Sequence, residues 1–493
     1  MKYKRIKIIF IILGILLIIP SVLYMIENES VMKFDTYYNF FINIDLNKTI
    51  STIIYLVLFI GITIAYLIMV KNYKKLFENT KQILKYVAII SIIFTMMLPW
   101  TSSDIFYYMG VGELDSMYNQ NPYYITMEEY YEQNEKNIDD EIIEKGANNV
   151  WADTTVVYGP IAQLIFKICT LVSFKNIDLC LVVFKILNVL AHLANCYLIY
   201  KLSNKKFVVI YGLNPFILLE FIGNVHNDII VVFFVLLTLY LLKQKKLMSS
   251  LVSLALATGI KYFTILLVPV VIIYHFRNEK KLGTRIFKCV QYGILFLVIF
   301  ALEYALYFKD FQVVFAMFAQ TSKYSKSIHS AIMQENQLLM MIIRYVLTVG
   351  FIGYYLKFCI DLITEKDIKF YKLIRKYNVG LVLFLLILTT FQQWYLVWLF
   401  ATIMWQNPRT IRNIIGLTAI TEIANSVYMF KLEWYIYDIY FVGIIACLFV
   451  IWQVNMSDDK RANLCQVFGA KKEPTPNCRG AKKEPTPNCR LGG

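Results

Sequence analysis

Residues 8–26 contain no charged side chain, and neither do residues 49–70. An α-helix rises ~1.5 Å per residue, so ~20 such residues cross the ~30 Å hydrocarbon layer of a bilayer. Comparable apolar runs recur as far as residue 454, separated by short charged loops. In lipid, backbone N–H and C=O groups must find partners inside the chain, and runs of this length meet that demand as helices. Of the 493 residues, 58% are apolar or aromatic and 17% are charged; soluble domains carry ~45–50% and ~25%. This excludes a soluble enzyme, a secreted disulfide scaffold and a disordered protein.

The formal charge of +15 comes from 49 Lys and Arg against 34 Asp and Glu. Its placement gives the topology, because basic residues gather in cytoplasmic loops. Lys71, Lys74, Lys75, Lys81 and Lys85 follow the second run, while residues 101–155 hold twelve acidic residues and two lysines. The latter stretch is therefore read as extracytoplasmic. The alternation continues through Lys201, Lys205 and Lys206, then Lys243, Lys245 and Lys246, then Arg277, Lys280 and Lys281. It requires residues 158–173 to lie along the outer interface without crossing.

The expected fold is an all-α polytopic membrane protein of about fourteen transmembrane helices, with an extracytoplasmic first loop and an interfacial helix. Residues 1–85 make two N-terminal helices and a cytoplasmic loop, and 86–454 make the main transmembrane module. Residues 455–493 are expected to be a disordered tail, in which 469–479 and 480–490 are the same eleven residues. Several spans fall short of ~20 residues, as is common beside a water-filled cavity.

No Walker loop, no GxGxxG before a helix and no HExxH is present. The nine cysteines form no CxxC pair, and there are four histidines. A nucleotide-driven pump, a zinc site and a nucleic-acid role are not indicated, and no cofactor or metal ligand set is assigned.

The candidate residues gather on the expected outer face, and each has two readings. Asp104 ends the third apolar run, either as a helix cap with Ser102 or Ser103 or as a general base partly desolvated at the membrane edge. A helix over 104–116 puts Asp104, Tyr108 and Asp115 on one face, with the two carboxylates ~16 Å apart. His226 and Asp228 lie in a polar turn between two spans, where ionisable groups are costly and often mark a site. Lys261 interrupts a pair of short spans, either snorkelling or binding phosphate. Lys323 and Lys326 stand in the loop 307–335, either solvated or in reach of a phosphate. Trp394 and Tyr395 either belong to an interfacial aromatic belt or stack on a sugar.

Five segments carry a family resemblance. Asp104, Tyr108, Gly112, Asn121, Pro122 and Tyr123 form one spacing pattern. The others are Tyr158-Gly159-Pro160, residues 223–228 (GNVHND), residues 259–263 (GIKYF) and residues 393–398 (QWYLVW). In this order they resemble bacterial and archaeal polyprenyl-phosphate-dependent mannosyltransferases, of the GT-C class of membrane glycosyltransferases. Gln393 stands where that family has Pro.

The resemblance implies a hexose, mannose first, carried from a polyprenyl-phosphate donor to a glycan or lipid acceptor with inversion. The setting would be the outer side of a bacterial plasma membrane. Asp104 would be the base, with His226 and Asp228 holding the acceptor hydroxyl; the alternative is His226 as the base. Lys261, Lys323 and Lys326 would face the phosphate. Tyr108, Asp115, Tyr123, Trp394 and Tyr395 would line the substrate site. The alternatives are a transporter or flippase of lipid-linked glycans and a polymerase or ligase of whole glycans.

Overall fold

The computed structural model describes residues 2–28, 30–32, 48–99, 101–134, 139–316, 318, 336–365 and 368–429. Among these the secondary structure is helical, with no β-strand. The principal helices are α1 (Lys2–Asn28), α2 (Lys48–Lys71), α3 (Thr80–Thr95), α4 (Asp104–Ser116), α5 (Pro160–Ser173) and α6 (Ile177–Leu202). They continue as α7 (Asp228–Lys243), α8 (Leu247–Thr258), α9 (Leu282–Glu303), α10 (Gln337–Thr364), α11 (Phe370–Ile387) and α12 (Pro408–Met429).

Five helices are long and apolar enough to cross a membrane: Arg5–Asn28, Ile50–Lys71, Ile177–Leu202, Leu282–Leu306 and Gln337–Thr364. A sixth candidate is the pair Lys205–Gly212 and Pro215–Gly223, bent by 52° at its break. All six coincide with expected spans. The other expected spans within the described residues fall on shorter, broken or more polar helices. The last expected span, at 434–454, the tail 455–493, Lys323 and Lys326 lie outside the described residues.

α5 is the segment expected to lie along an interface. Pro160 sits at its first turn, where a missing N–H costs nothing. Its C-terminal cap Phe174 and the following Lys175 both take left-handed backbone, with φ of 50° and 64°. One face buries Ala162, Gln163, Phe166, Cys169 and Thr170. The other leaves Ile168, Leu171 and Val172 exposed. α4 lies along the buried face, so close that a Cβ on Gly112 would stand 2.7 Å from the Phe166 carbonyl oxygen.

The chain between α6 and α7 is broken several times. Asn214 caps the three-residue helix Pro215–Ile217, its side chain accepting from the Phe216 N–H. The backbone then widens into a π-turn over Leu218–Gly223, a form that recurs at functional sites. Each break frees carbonyls in apolar surroundings, and α6 supplies the donors. Lys185 Nζ donates to the carbonyls of Met97 (2.6 Å), Ile222 (3.2 Å) and Gly223 (2.9 Å). Asn188 Nδ2 donates to those of Phe221 (2.8 Å) and His226 (3.1 Å). Asn195 Nδ2 donates to that of Ile229 (3.0 Å).

Lys185→Met removes the donor shared by three buried carbonyls. At ~1–3 kcal/mol for each orphaned polar group, stability should fall by at least ~2 kcal/mol. The thermal midpoint of the detergent-solubilised variant measures this, and an unshifted midpoint would mean that water replaces the ammonium.

Candidate functional site

Asp104 opens α4, where the helix dipole favours an anion. Its backbone N–H is held by Ser102 Oγ at 3.3 Å. Ser103 makes no side-chain cap, but its carbonyl accepts from Asn149 Nδ2 at 2.8 Å. Asn149 thereby brings in Trp151, whose Nε1 donates to Asp104 Oδ1 at 3.2 Å. The Asp104 side chain is 12% exposed, whereas those of Asp228 and Glu220 are 0% exposed. Of these three carboxylates, Asp104 alone meets solvent.

The turn after the π segment presents His226. Val225 before it has φ of 66°, a conformation costly for a β-branched residue. The imidazole is fully buried and lies flat on Trp394, with ring centres 3.6 Å apart. Nδ1 stands 3.8 Å from Asp104 Oδ2, and Nε2 stands 3.2 Å from Glu220 Oε2. Glu220 also accepts from Gln393 Nε2 (3.0 Å) and Asn224 Nδ2 (3.1 Å). Asn224 Nδ2 in turn hydrogen-bonds the Thr101 hydroxyl.

Asp228, at the start of α7, has both oxygens engaged. Trp398 Nε1 donates to Oδ1 at 2.6 Å, and Lys261 Nζ pairs with Oδ2 at 2.8 Å. The ammonium also lies over aromatic rings, 4.6 Å from the centre of Tyr395 and 5.6 Å from that of Tyr158. Tyr395 stacks on Trp398 (4.6 Å), and Trp398 stacks on Phe263 (3.6 Å).

Two glycines lock this loop to α5. The N–H groups of Ile161 and Ala162 donate to the Gly259 carbonyl at 2.8 and 3.1 Å. A Cβ on Gly159 would stand 2.4 Å from that same oxygen, so no larger residue fits. The contact sets Tyr158 beside Lys261.

Two small cavities meet here. One, of about 220 Å³, is lined by Lys261, Tyr262, Phe263, Phe384, Leu388 and Trp398, with Tyr158, Thr390 and Tyr395. The other, of about 10 Å³, has Asp104, Tyr107, Trp151, Gln392 and Trp394 on its wall. Tyr158, Thr390 and Tyr395 line both. Carboxylate and ammonium thus flank one aromatic partition. Burial pushes the Tyr108 and Tyr158 phenols well above the usual range. Both remain protonated at neutral pH, and Tyr158 donates to Tyr108 at 3.2 Å.

Of the residues singled out in the sequence, Asp104, Tyr108, His226, Asp228, Lys261, Trp394 and Tyr395 come together at this partition. Asp115 does not. α4 runs unbroken past Gly110 and Gly112, which keeps Asp115 ~16 Å along the helix from Asp104. It pairs with Lys167 (2.7 Å), accepts from Tyr307 (3.0 Å), and lines a separate cavity of about 490 Å³ with Asn119, Gln120 and Asn121. Tyr123 is fully buried and supports the partition from behind, donating to the Tyr158 carbonyl at 3.0 Å.

Sequence reasoning missed Glu220 and Trp151, and took Trp398 only as the end of the QWYLVW segment, with no role of its own. A lone carboxylate in the apolar run LLEFIG is a signal that could have found Glu220. Nothing local marks Trp151 or gives the partner of Trp398, their partners lying 47 and 170 residues away. Among the described residues no group of three or more His, Cys, Asp or Glu is arranged to hold a metal ion.

Residues 12–277 match the family profile described as alpha-(1→6)-mannopyranosyltransferase, N-terminal domain. The match takes in the Asp104, His226 and Lys261 segments and ends before Trp394. No curated protein and no solved structure matches the chain.

Glu113, also on α4, is fully buried, and neither of its carboxylate oxygens has a hydrogen-bond partner. Burial first, then the nearby Asp140, pushes its carboxyl up to about 8, with Lys175 opposing. Unfolded, it ionises near its ordinary value of 4.5. Between these values the folded chain binds more protons, so stability falls as pH rises. Glu113→Gln should flatten that decline and raise the thermal midpoint at pH 8 more than at pH 5. Equal shifts at both pH values would contradict the assignment.

Proposed function

The chain belongs to the alpha-(1→6)-mannopyranosyltransferase family, and from that premise we propose a mannosyl transfer from a polyprenyl-phosphate donor, with inversion and with Asp104 as general base. The observation that carries this reading is the solvent-reaching carboxylate of Asp104 beside the Lys261 cavity, joined through Tyr158, Thr390 and Tyr395.

The acceptor hydroxyl approaches Asp104 Oδ2, since Trp151 occupies Oδ1. Its O–H bond breaks, and the proton goes to the carboxylate. The oxygen bonds to the anomeric carbon from the face opposite the phosphate. The bond from that carbon to the phosphate oxygen breaks, and the electron pair stays on the phosphate. Lys261 offsets the growing charge. Lys323 and Lys326 are proposed as further phosphate contacts.

Asp228 fits a different role from holding the acceptor hydroxyl. With Trp398 and Lys261 on its two oxygens, it aims the ammonium. Phe263, Phe384 and Leu388 suit the first isoprene units of the donor, and Trp394 and Tyr395 offer ring faces for the sugar. The Asp115 cavity, with three amide side chains and a tyrosine, suits a more distant part of a glycan acceptor. The acidic loop 101–155, against lysines after the second span, supports an extracytoplasmic site.

In membranes supplied with polyprenyl-phosphate [³H]mannose, Asp104→Asn should transfer label about 10²–10⁴-fold more slowly while still binding donor. A folded variant that works at the normal rate removes the reading. Lys261→Met should lower kcat/KM for the same donor by about 10²-fold. Unchanged donor kinetics would place the phosphate elsewhere.

A further inference from the structure

Glu220 is an ionisable residue inside the apolar run 218–222 and has no exposed surface. A carboxylate in such surroundings is costly unless donors converge on it. They do: Gln393 and Asn224 hydrogen-bond its two oxygens, and a second acid, Glu422 of α12, lies close by. Asn224 lies four residues on, at the end of the π-turn, and the His226 N–H donates to the Glu220 carbonyl at 3.2 Å. The extra backbone residue of the π-turn therefore serves one local end: it brings Glu220 under the His226 ring.

The ring itself has little freedom. Trp394 covers one face, Phe221 meets it edge-on with centres 6.3 Å apart, and Asn188 holds the His226 carbonyl. Each nitrogen has one acid as its nearest charged neighbour, without hydrogen-bond alignment in this state. Nε2 stands 3.2 Å from Glu220, and Nδ1 stands 3.8 Å from Asp104. When the ring carries a single proton, the nearer, fully buried carboxylate favours it on Nε2. The lone pair on Nδ1 is then left towards Asp104.

We propose that Glu220 is a positioning residue: it fixes the His226 proton on Nε2, so that Nδ1 takes over the proton Asp104 has received from the acceptor. The inference rests on the transferase reading above. In the first step the acceptor O–H proton moves to Asp104 as the new C–O bond forms and the bond to phosphate breaks. In the second, the Asp104 O–H bond breaks and an N–H bond forms at Nδ1. Asp104 is again a carboxylate, and the imidazolium is stabilised from behind by Glu220. The imidazolium returns to neutral by passing that proton back through Asp104, which meets solvent, to water as product leaves. The arrangement follows the acid–histidine logic of hydrolytic triads, in which the buried acid orients the ring and is not itself protonated.

The test uses the full chain in nanodiscs, labelled with ¹⁵N-histidine. Long-range ¹H–¹⁵N correlation reads the ring tautomer, and loss of one signal set in His226→Gln assigns it among four histidines. The expected state at neutral pH is Nε2–H, and an Nδ1–H tautomer in the unsubstituted protein overturns the proposal without any Glu220 variant having to fold. In Glu220→Gln, the Nδ1–H population should rise and kcat should fall by about 10²-fold, with the KM for polyprenyl-phosphate mannose unchanged. Glu220→Asp should recover part of the rate. A folded Glu220→Gln with normal kcat overturns the proposal. If Asp104→Asn abolishes transfer while His226 carries its proton on Nδ1, only the Glu220 inference falls. If Asp104→Asn transfers normally, the transferase base and the relay fall together.

Discussion

A carbonyl released where a helix breaks in apolar surroundings must find a donor, and here one helix supplies the donors for several breaks. Lys185, Asn188 and Asn195 of α6 serve the end of the segment after α3, the π-turn, the His226 turn and the start of α7. These are the places from which Asp104, His226 and Asp228 project. The cost of irregular backbone at membrane depth is thus met by a row of polar side chains on a single unbroken helix. The same row fixes the spacing of the functional groups that hang from the breaks.

A second constraint ties the cationic side of the site to the carboxylate side. Gly159 lies so close to the Gly259 carbonyl that it cannot carry a side chain, and Gly259 is itself hemmed in by the Glu303 and Ile161 side chains. Their contact carries α5, Tyr158 and the Lys261 loop as one body. Tyr158 in turn reaches Tyr108 through its hydroxyl and receives Tyr123 and Tyr262 at its carbonyl. Burial keeps the phenols of Tyr108, Tyr123 and Tyr158 protonated, so this side of the partition between Asp104 and Lys261 is built of neutral, polarisable groups. Two opposite charges can face one cavity system without collapsing onto each other, because each already has its own partner.

Much of the framework could be read from local patterns. The helix expected over 104–116 has those bounds, and the segment read as an interfacial helix at 158–173 begins at Pro160. The polar turn at 223–228 and the break at Lys261 are breaks in the structure as well. What local spacing could not give is pairing between distant segments. Helical periodicity puts Asp104 and Asp115 on one face of α4, yet Trp151 and His226 meet one while Lys167 and Tyr307 meet the other. Hydropathy shows residues 207–222 as one apolar run, which hides both the break at Leu213 and Asn214 and the buried Glu220. Gln393 looked like a departure from a family pattern, and it holds Glu220 in place.

α9 and α10 stand apart from this tight interior. Within the described residues, only 11% and 6% of the positions in their most apolar windows are covered by protein. Yet the chain continuing from α9 reaches the site, since Tyr304 hydrogen-bonds Tyr262 at 3.0 Å. Their exposed apolar faces, among the described residues, suit contact with acyl chains. Hydrophobic mismatch tilts membrane helices, and a tilt of α9 would be passed to Tyr262 and the slot it lines. On the proposed reading, bilayer thickness thereby bears on the shape of the donor slot.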